Sequence, residues 1–144
     1  MKISIGADHA AFELKAALIE VLNAAGHEVI DHGTHTLDSV DYPDFAKPVC
    51  EDVEAGRADR GVLLCYTGNG MAITANKFPG IRAALVNYEE DARLARGHND
   101  ANVLVLSALH ASAKYAQILL EQFLATEFEG GRHARRVGKM SCGC

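Results

Sequence analysis

The most informative segment of the sequence is Gly61-Val62-Leu63-Leu64-Cys65-Tyr66-Thr67-Gly68-Asn69-Gly70. Its first half is a short apolar run, which is typical of a strand buried on both faces of a parallel sheet. A glycine-rich turn follows, and then the helix-forming segment Met71–Lys77. This order of strand, turn and helix predicts an α/β fold.

The same alternation extends in both directions along the chain. The other predicted strands are Lys2–Gly6, Glu28–Asp31, Ile81–Val86 and Asn102–Leu106. Apolar spacing predicts helices over Leu14–Leu22, from Pro43 towards Ala55, after Glu89 and over Tyr115–Phe123. We therefore expect a three-layer α/β/α domain with a five-stranded parallel, Rossmann-like sheet over residues 1–138. Residues 139–144 are expected to form a flexible tail.

The composition narrows the functional class. The chain has 144 residues and a formal net charge of −5, which argues against a nucleic-acid-binding face. The apolar run at the N-terminus is too short for a signal peptide, and no run approaches the ~18 apolar residues of a membrane span. We expect a cytoplasmic protein without membrane or nucleic-acid partners.

The four cysteines do not form a disulfide framework. In a reducing compartment, reduced thiols are the default state for Cys50 and Cys65. Cys142 and Cys144 lie in the terminal Ser-Cys-Gly-Cys segment and make half a zinc site at most. No metal site is predicted there.

Cys65 stands where parallel sheets bind their ligands, at the carboxyl end of a strand. A helix N-terminus beside it would lower the thiol pKa from about 8.5 and make the thiolate available. The alternative is a buried structural cysteine. The glycine loop lacks the Lys and Ser/Thr of a nucleotide-binding loop, so it is better suited to an anion or a developing oxyanion.

Other polar residues follow strands in the same way. Asp8 and His9 come directly after the first strand, and the segment Ser107 to His110 follows the fifth. Because the loops at the carboxyl ends of parallel strands lie on one side of a sheet, we expect these residues and Cys65 to gather on one edge.

Two further groups have a structural alternative. His98-Asn99-Asp100 could be catalytic, or it could complement the negative end of a helix and form a turn. Arg132 and Arg136 are four residues apart and share one face if the segment is helical. Two guanidinium groups on one face suit a phosphate, although a solvated basic terminus has the same pattern.

Four motifs occur together in this chain: Gly6-Ala7-Asp8-His9-Ala10; Cys65-x-Thr67-Gly68-x-Gly70 with Ala75-Asn76-Lys77; His98-Asn99-Asp100; and Gly130-Gly131-Arg132-His133. In this order they resemble the type B ribose-5-phosphate isomerases and their allose-6-phosphate and galactose-6-phosphate relatives. The resemblance extends from Lys2 to about Val137. It implies an aldose–ketose isomerisation through an enediolate, without a metal or cofactor, in a homodimer or tetramer whose sites are shared between subunits.

The resemblance also implies a role for each residue. Cys65 would be the base that moves the proton between C1 and C2, and the site would require the first and third strands to be neighbours. The remaining roles are enediolate stabilisation by Thr67 and the loop Tyr66, Gly68, Asn69 and Gly70; ring opening by His98; a sugar hydroxyl for Asn99; phosphate binding by His9, Arg132 and Arg136; and positioning of the open chain by Asp8 and Tyr42.

The chain departs from the family pattern at two positions. Tyr66 stands where the family usually has glycine, so it is either strained by a positive φ or its ring reshapes the sugar pocket. Leu109 stands where the family usually carries an arginine that reaches the substrate. Ribose 5-phosphate is the first expected substrate. A hexose 6-phosphate, or a silent sugar-phosphate-binding subunit, is the alternative.

Overall fold

The computed structural model describes residues 1–140, which fold around a sheet of five parallel strands. The strands are β1 (Lys2–Ala7), β2 (Glu28–Asp31), β3 (Arg60–Cys65), β4 (Ala83–Leu85) and β5 (Val103–Ser107). The predicted five-stranded parallel sheet is confirmed. The fourth strand is shorter than predicted, since Ile81, Arg82 and Val86 lie outside it, and Cys65 is the last residue of β3 rather than the first residue after it.

Helices connect the strands and cover both faces of the sheet. They are α1 (Phe12–Ala24), α2 (Pro43–Glu54), α3 (Asn69–Ala75), α4 (Glu89–Asn99), α5 (Ala113–Ala125) and α6 (Arg132–Val137). Among residues 1–140, none of these helices has both the length and the apolar character that crossing a membrane requires. Cys142 and Cys144 lie outside the described residues, and the predicted boundary between domain and tail stays a prediction.

Two apolar cores lie on opposite faces of the sheet. Side chains of α1, α4 and α5 pack with Val62 and Leu64 on one face. Side chains of α2 and α3 pack with Leu63 and Cys65 on the other. This alternation follows from the two-residue period of a strand. It directs the side chain of Cys65 towards the face that α3 covers.

The strand order is β2-β1-β3-β5-β4. The expectation that the first and third strands are neighbours is confirmed, because Ala7 pairs with Leu64 in the β1–β3 ladder. From β1 the chain first adds β2 on one side and later β3 on the other, so the topological switch point lies between β1 and β3. In open α/β sheets the ligand crevice forms outside the carboxyl ends of the strands at this point.

Candidate active site

Three loops meet at the carboxyl edge of the sheet, as the sequence predicts. The Asp8 N–H donates to the Leu64 carbonyl at 3.2 Å, which places Asp8 beside the end of β3. The Ala108 N–H donates to the Cys65 carbonyl at 3.0 Å. These backbone bonds hold the ends of β1, β3 and β5 together around Cys65.

The Cys65 thiol is held against the turn that follows it. Its side chain is buried (the residue is 4% exposed), and Sγ accepts the Gly68 backbone N–H at 3.2 Å. Gly68 has a φ of +82°, and a Cβ at this position would stand 2.3 Å from Leu85 Cδ1. Only glycine meets both conditions, so the turn that presents this N–H to sulfur depends on Gly68.

The rest of the loop is closed by short contacts. Thr67 Oγ1 accepts the Asn69 N–H at 3.3 Å, at the beginning of α3. The Tyr42 ring lies against Gly70, where a Cβ would be 2.6 Å from Tyr42 Cζ. Tyr42 precedes α2, so this helix and α3 together bring its ring over the glycine loop.

Asp8 and His9 line the same crevice. The Asp8 residue is 7% exposed, and Oδ1 accepts the N–H groups of Ala10 at 3.0 Å and Ala11 at 3.3 Å. His9 Nδ1 accepts the Val40 N–H at 3.2 Å. Neutral His9 therefore carries its proton on Nε2, which makes that nitrogen a hydrogen-bond donor.

The structure decides between the two alternatives for Tyr66. Asp100 is the one non-glycine residue among those described with a positive φ, so a strained Tyr66 backbone is the wrong alternative. The Tyr66 carbonyl accepts bonds from Ser107 Oγ at 2.8 Å and from the Leu109 N–H at 2.9 Å. These bonds fix the backbone of Tyr66, and the residue is 54% exposed beside the thiol loop.

His98 and Asn99 lie at the other edge of the sheet. The helix α4 connects two parallel strands and therefore runs back to the amino edge of the sheet. His98 and Asn99 are its last two residues. The contacts of Asp100 confirm this placement, because its carbonyl accepts Arg82 Nε at 2.8 Å just before β4 begins. β5 has five residues. At about 3.3 Å per residue, it separates the two edges by roughly 16 Å.

The helix α6 packs against the end of α4 and places the arginines there. The His98 and His133 rings stack with centroids 4.1 Å apart. The Glu129 N–H donates to the Gly97 carbonyl at 3.0 Å. Arg132 and Arg136 lie one helical turn apart on α6, and both are exposed.

His98, Glu129 and His133 form a cluster that the sequence analysis did not predict. Their side chains have the donor types that bind transition metals, with one ligand atom from each residue within 4.8 Å of the others. Among residues 1–140 it is the single cluster of three or more His, Cys, Asp or Glu side chains that could hold a metal ion. Burial lowers the pKa of His133, and the neighbouring His98 and Arg132 lower it further against the opposing effect of Glu129.

Cys50 contrasts with Cys65. It is fully buried on α2, and burial raises the pKa of its thiol to about 12, with Glu54 and Glu51 adding to the effect. A thiol with this pKa is protonated at neutral pH and unreactive. Cys50 is therefore a core residue, as a cysteine in an apolar environment usually is.

An open parallel sheet with a buried thiol and a glycine loop at its switch point defines a Rossmann-like domain that binds a small molecule. A family model described as Ribose/Galactose Isomerase matches residues 3–140. Ribose-5-phosphate isomerase B of Escherichia coli is 42% identical over 136 residues, which are 94% of this chain and 91% of that protein. The chain belongs to the ribose/galactose isomerase family.

Solved structures agree with this assignment. Ribose-5-phosphate isomerase B of Clostridium thermocellum superposes with a TM-score of 0.97 at 49% identity, covering 98% of this chain and 95% of that one. The Mycoplasma genitalium ribose-5-phosphate isomerase B was solved with bound ribulose 5-phosphate. Its TM-score is 0.93 at 41% identity, and the match covers 97% of this chain and 93% of that one.

Proposed function

We propose that this chain interconverts ribose 5-phosphate and ribulose 5-phosphate through an enediolate, with Cys65 as the base. The observation that carries the proposal is the hydrogen bond from the Gly68 N–H to Cys65 Sγ, 3.2 Å long, at the switch point of the sheet. The chain that forms this sheet belongs to the ribose/galactose isomerase family. This bond fixes the thiol in the crevice where ligands of open α/β sheets bind. The bound ribulose 5-phosphate of the Mycoplasma genitalium relative supports the choice of sugar.

The reaction needs a base and a site for negative charge. Cys65 takes the proton from C2 of the open-chain aldose, the electron pair forms the C1–C2 double bond, and the carbonyl oxygen becomes an enediolate oxygen. The same group then returns a proton to C1, while the proton of the C2 hydroxyl passes to the C1 oxygen, so that C2 becomes the ketone carbonyl. The Thr67 hydroxyl and the Gly70 N–H are the donors that stabilise the enediolate oxygen, and the Asn69 N–H holds Thr67 Oγ1 in place. Tyr66 forms the wall of the pocket beside them.

The phosphate and the furanose ring are handled by a second copy of the chain. His98, Asn99, Arg132 and Arg136 lie at the amino edge, about one strand length from Cys65 in the same chain. A twofold dimer that places the amino edge of one subunit against the carboxyl edge of its partner unites both groups, twice. Exposed apolar side chains at the carboxyl edge support such an interface: Tyr42, Tyr66, Ile73 and Leu109.

Within this shared site, each residue has one task. His98 exchanges the proton that opens the ring, and Asn99 holds a sugar hydroxyl. Arg132 and Arg136 grip the phosphate together with His9, whose Nε2–H is the donor on the opposite side. Asp8 and Tyr42 position the open chain. The reduced thiols of Cys50 and Cys65 are in keeping with a cytoplasmic enzyme.

The test is turnover of ribose 5-phosphate and allose 6-phosphate, measured side by side for the wild type and Cys65→Ala. We expect turnover of ribose 5-phosphate that the substitution reduces by at least about 1000-fold, because both proton transfers lose their base. Cys50→Ala is the matched control, since this thiol lies in the core. Undiminished turnover in Cys65→Ala would contradict the mechanism.

The second candidate is a hexose-6-phosphate isomerase, favoured by the exposed Tyr66 and Leu109 at the mouth of the site. Turnover of allose 6-phosphate alone would select it and make these two side chains markers of a changed pocket. Binding of sugar phosphate without turnover of either sugar would instead indicate a silent subunit.

A further inference from the structure

The carboxylate of Glu129 lies among three basic side chains, two of them on α4 and one on α6. Its Oε2 lies 3.5 Å from His98 Nε2 and 3.7 Å from His133 Nε2. Its Oε1 lies 3.7 Å from a guanidinium nitrogen of Arg93. The carboxylate fits here because residue 97 is glycine, where a Cβ would stand 3.0 Å from Oε1.

The geometry of the two imidazoles decides what this cluster does. Their planes are nearly parallel, at 8°. Nitrogen lone pairs lie in the ring planes, so parallel stacked rings do not aim them at one point, as a metal ion would require. N–H bonds also lie in the ring planes, so the Glu129 carboxylate, 3.5 and 3.7 Å from the two Nε2 atoms, attracts both rings through its charge rather than through two aligned hydrogen bonds.

Charge repulsion and burial both act on the stacked rings. Two imidazolium rings 4.1 Å apart would repel each other, and His133 is the more buried of the two. The charged groups around the two rings are Glu90 and Arg93 on α4, Glu129 on the loop before α6, and Arg132 and Arg136 on α6. Glu129 is the carboxylate that lies within 4 Å of both rings.

We propose that Glu129 and His133 are positioning residues for His98. Glu129 directs Nε2 of His98 towards its carboxylate and His133 fixes the plane of the ring, so that Nδ1 meets the furanose form of the substrate. This inference rests on the proposed function, because it assigns the two residues to the ring-opening step and to no other step.

The chemistry separates that step from proton transfer at carbon. In ring opening the C1–O4 bond breaks, O4 keeps the electron pair and takes a proton from His98, and the C1 hydroxyl loses its proton to water as it becomes a carbonyl. Ribulose 5-phosphate needs no such step, since the O5 that would close its furanose ring carries the phosphate. Its C1 proton exchanges through Cys65 alone.

The experiment compares two rates in Glu129→Ala: turnover of ribose 5-phosphate, and wash-in of deuterium from D₂O into ribulose 5-phosphate. We expect turnover to fall about 10- to 100-fold, the usual cost of removing the partner that orients a functional imidazole. Wash-in should stay within about twofold, because the thiol loop at the other edge is unchanged. Glu129→Gln, which keeps an acceptor and loses the charge, should lie between.

Glu127→Ala is the matched control, an exposed carboxylate two residues earlier whose charge acts on Arg60. His133→Ala is the second variant and should show the same split between the two rates. Turnover in Glu129→Ala equal to that of Glu127→Ala would overturn the inference, and so would an equal loss of turnover and wash-in. Absence of ribose 5-phosphate turnover in the wild type would contradict the proposed function itself, whichever residue stands at position 129.

Discussion

The two edges of the sheet are built in different ways. At the carboxyl edge, Cys65 and Asp8 are buried and held by backbone bonds between neighbouring strands. At the amino edge, His98 is about one-third exposed at a helix end, and Arg132 and Arg136 are exposed on the short helix α6. The group proposed to act on carbon is therefore fixed by the sheet, whereas the groups proposed for the ring and phosphate are carried by helix ends.

The largest expected difference lies between the two buried thiols. We expect iodoacetamide at neutral pH to alkylate Cys65 at least about 1000-fold faster than Cys50, because a thiol whose pKa is about 12 holds almost no thiolate at that pH. Ribose 5-phosphate should slow the reaction at Cys65. Peptide mass mapping, which separates both sites from Cys142 and Cys144, measures the rates.

A Cys65 that reacts no faster than Cys50, or that sugar phosphate does not protect, would remove the chemical distinction between the carboxyl edge and the core. The Cys50→Ala variant checks the mapping, since the alkylation rate at Cys65 should be unchanged in it.

The amino edge is tested through its arginines. In Arg136→Gln we expect kcat/KM to fall about 10- to 100-fold, mostly through KM, because a charge-assisted bond to phosphate is lost. Arg135→Gln is the matched control on the same helix, and it should change kcat/KM less than about twofold since a surface charge contributes little. Equal effects of the two substitutions would indicate general attraction of the anion rather than a phosphate site.

A smaller effect, on stability, is expected from the Asp52 carboxylate, which joins α2 to Ser4 of β1. Asp52 accepts Ser4 Oγ at 2.9 Å and Arg57 Nε at 2.7 Å, and it lies 2.6 Å from His32 Nε2. Burial raises the pKa of Asp52, but bonds from His32, Arg57 and Ser4 outweigh it, so the pKa lies below its ordinary value. The charged carboxylate therefore stabilises the fold above a pH of about 4, and this contribution is lost as the pH falls through the lowered pKa.

Asp52→Asn should accordingly lower the free energy of unfolding at pH 7 by about 1–3 kcal/mol. The difference from the wild type should shrink as the pH falls from about 4 through the lowered pKa, because the wild-type carboxylate also becomes protonated there. Urea unfolding at pH 7 and below pH 4 measures it, with the exposed Glu51→Gln as control. A difference that grows in acid would contradict the assigned direction of the pKa shift.

The residues of the carboxyl edge could be predicted from the sequence because a single rule of parallel sheets places them. Each strand ends at a recognisable residue, and parallel strands end on one side, so Asp8 and Cys65 could be placed together. The same rule says nothing about His98, whose position depends on the direction of α4. Its separation from Cys65 emerges only once the helix is laid against the sheet.

Two local features depended on contacts distant in sequence. The backbone of Tyr66 is set by bonds from Ser107 and Leu109 on the β5 loop, so its φ was not readable from the Cys65 loop itself. Glu129 and His133 have helical spacing, but Glu129 precedes α6 and lies in a loop. Its partner His98 is about 30 residues away, and only the packing of α6 on α4 brings them together.

We propose that each active site joins the carboxyl edge of one subunit to the amino edge of its partner. The most direct test mixes two inactive variants, Cys65→Ala and His98→Ala, after dissociation and reassembly. Random pairing of equal amounts should restore about a quarter of wild-type turnover, since half of the dimers are mixed and each has one intact site of two. Turnover that stays at the level of the separate variants would contradict the shared site.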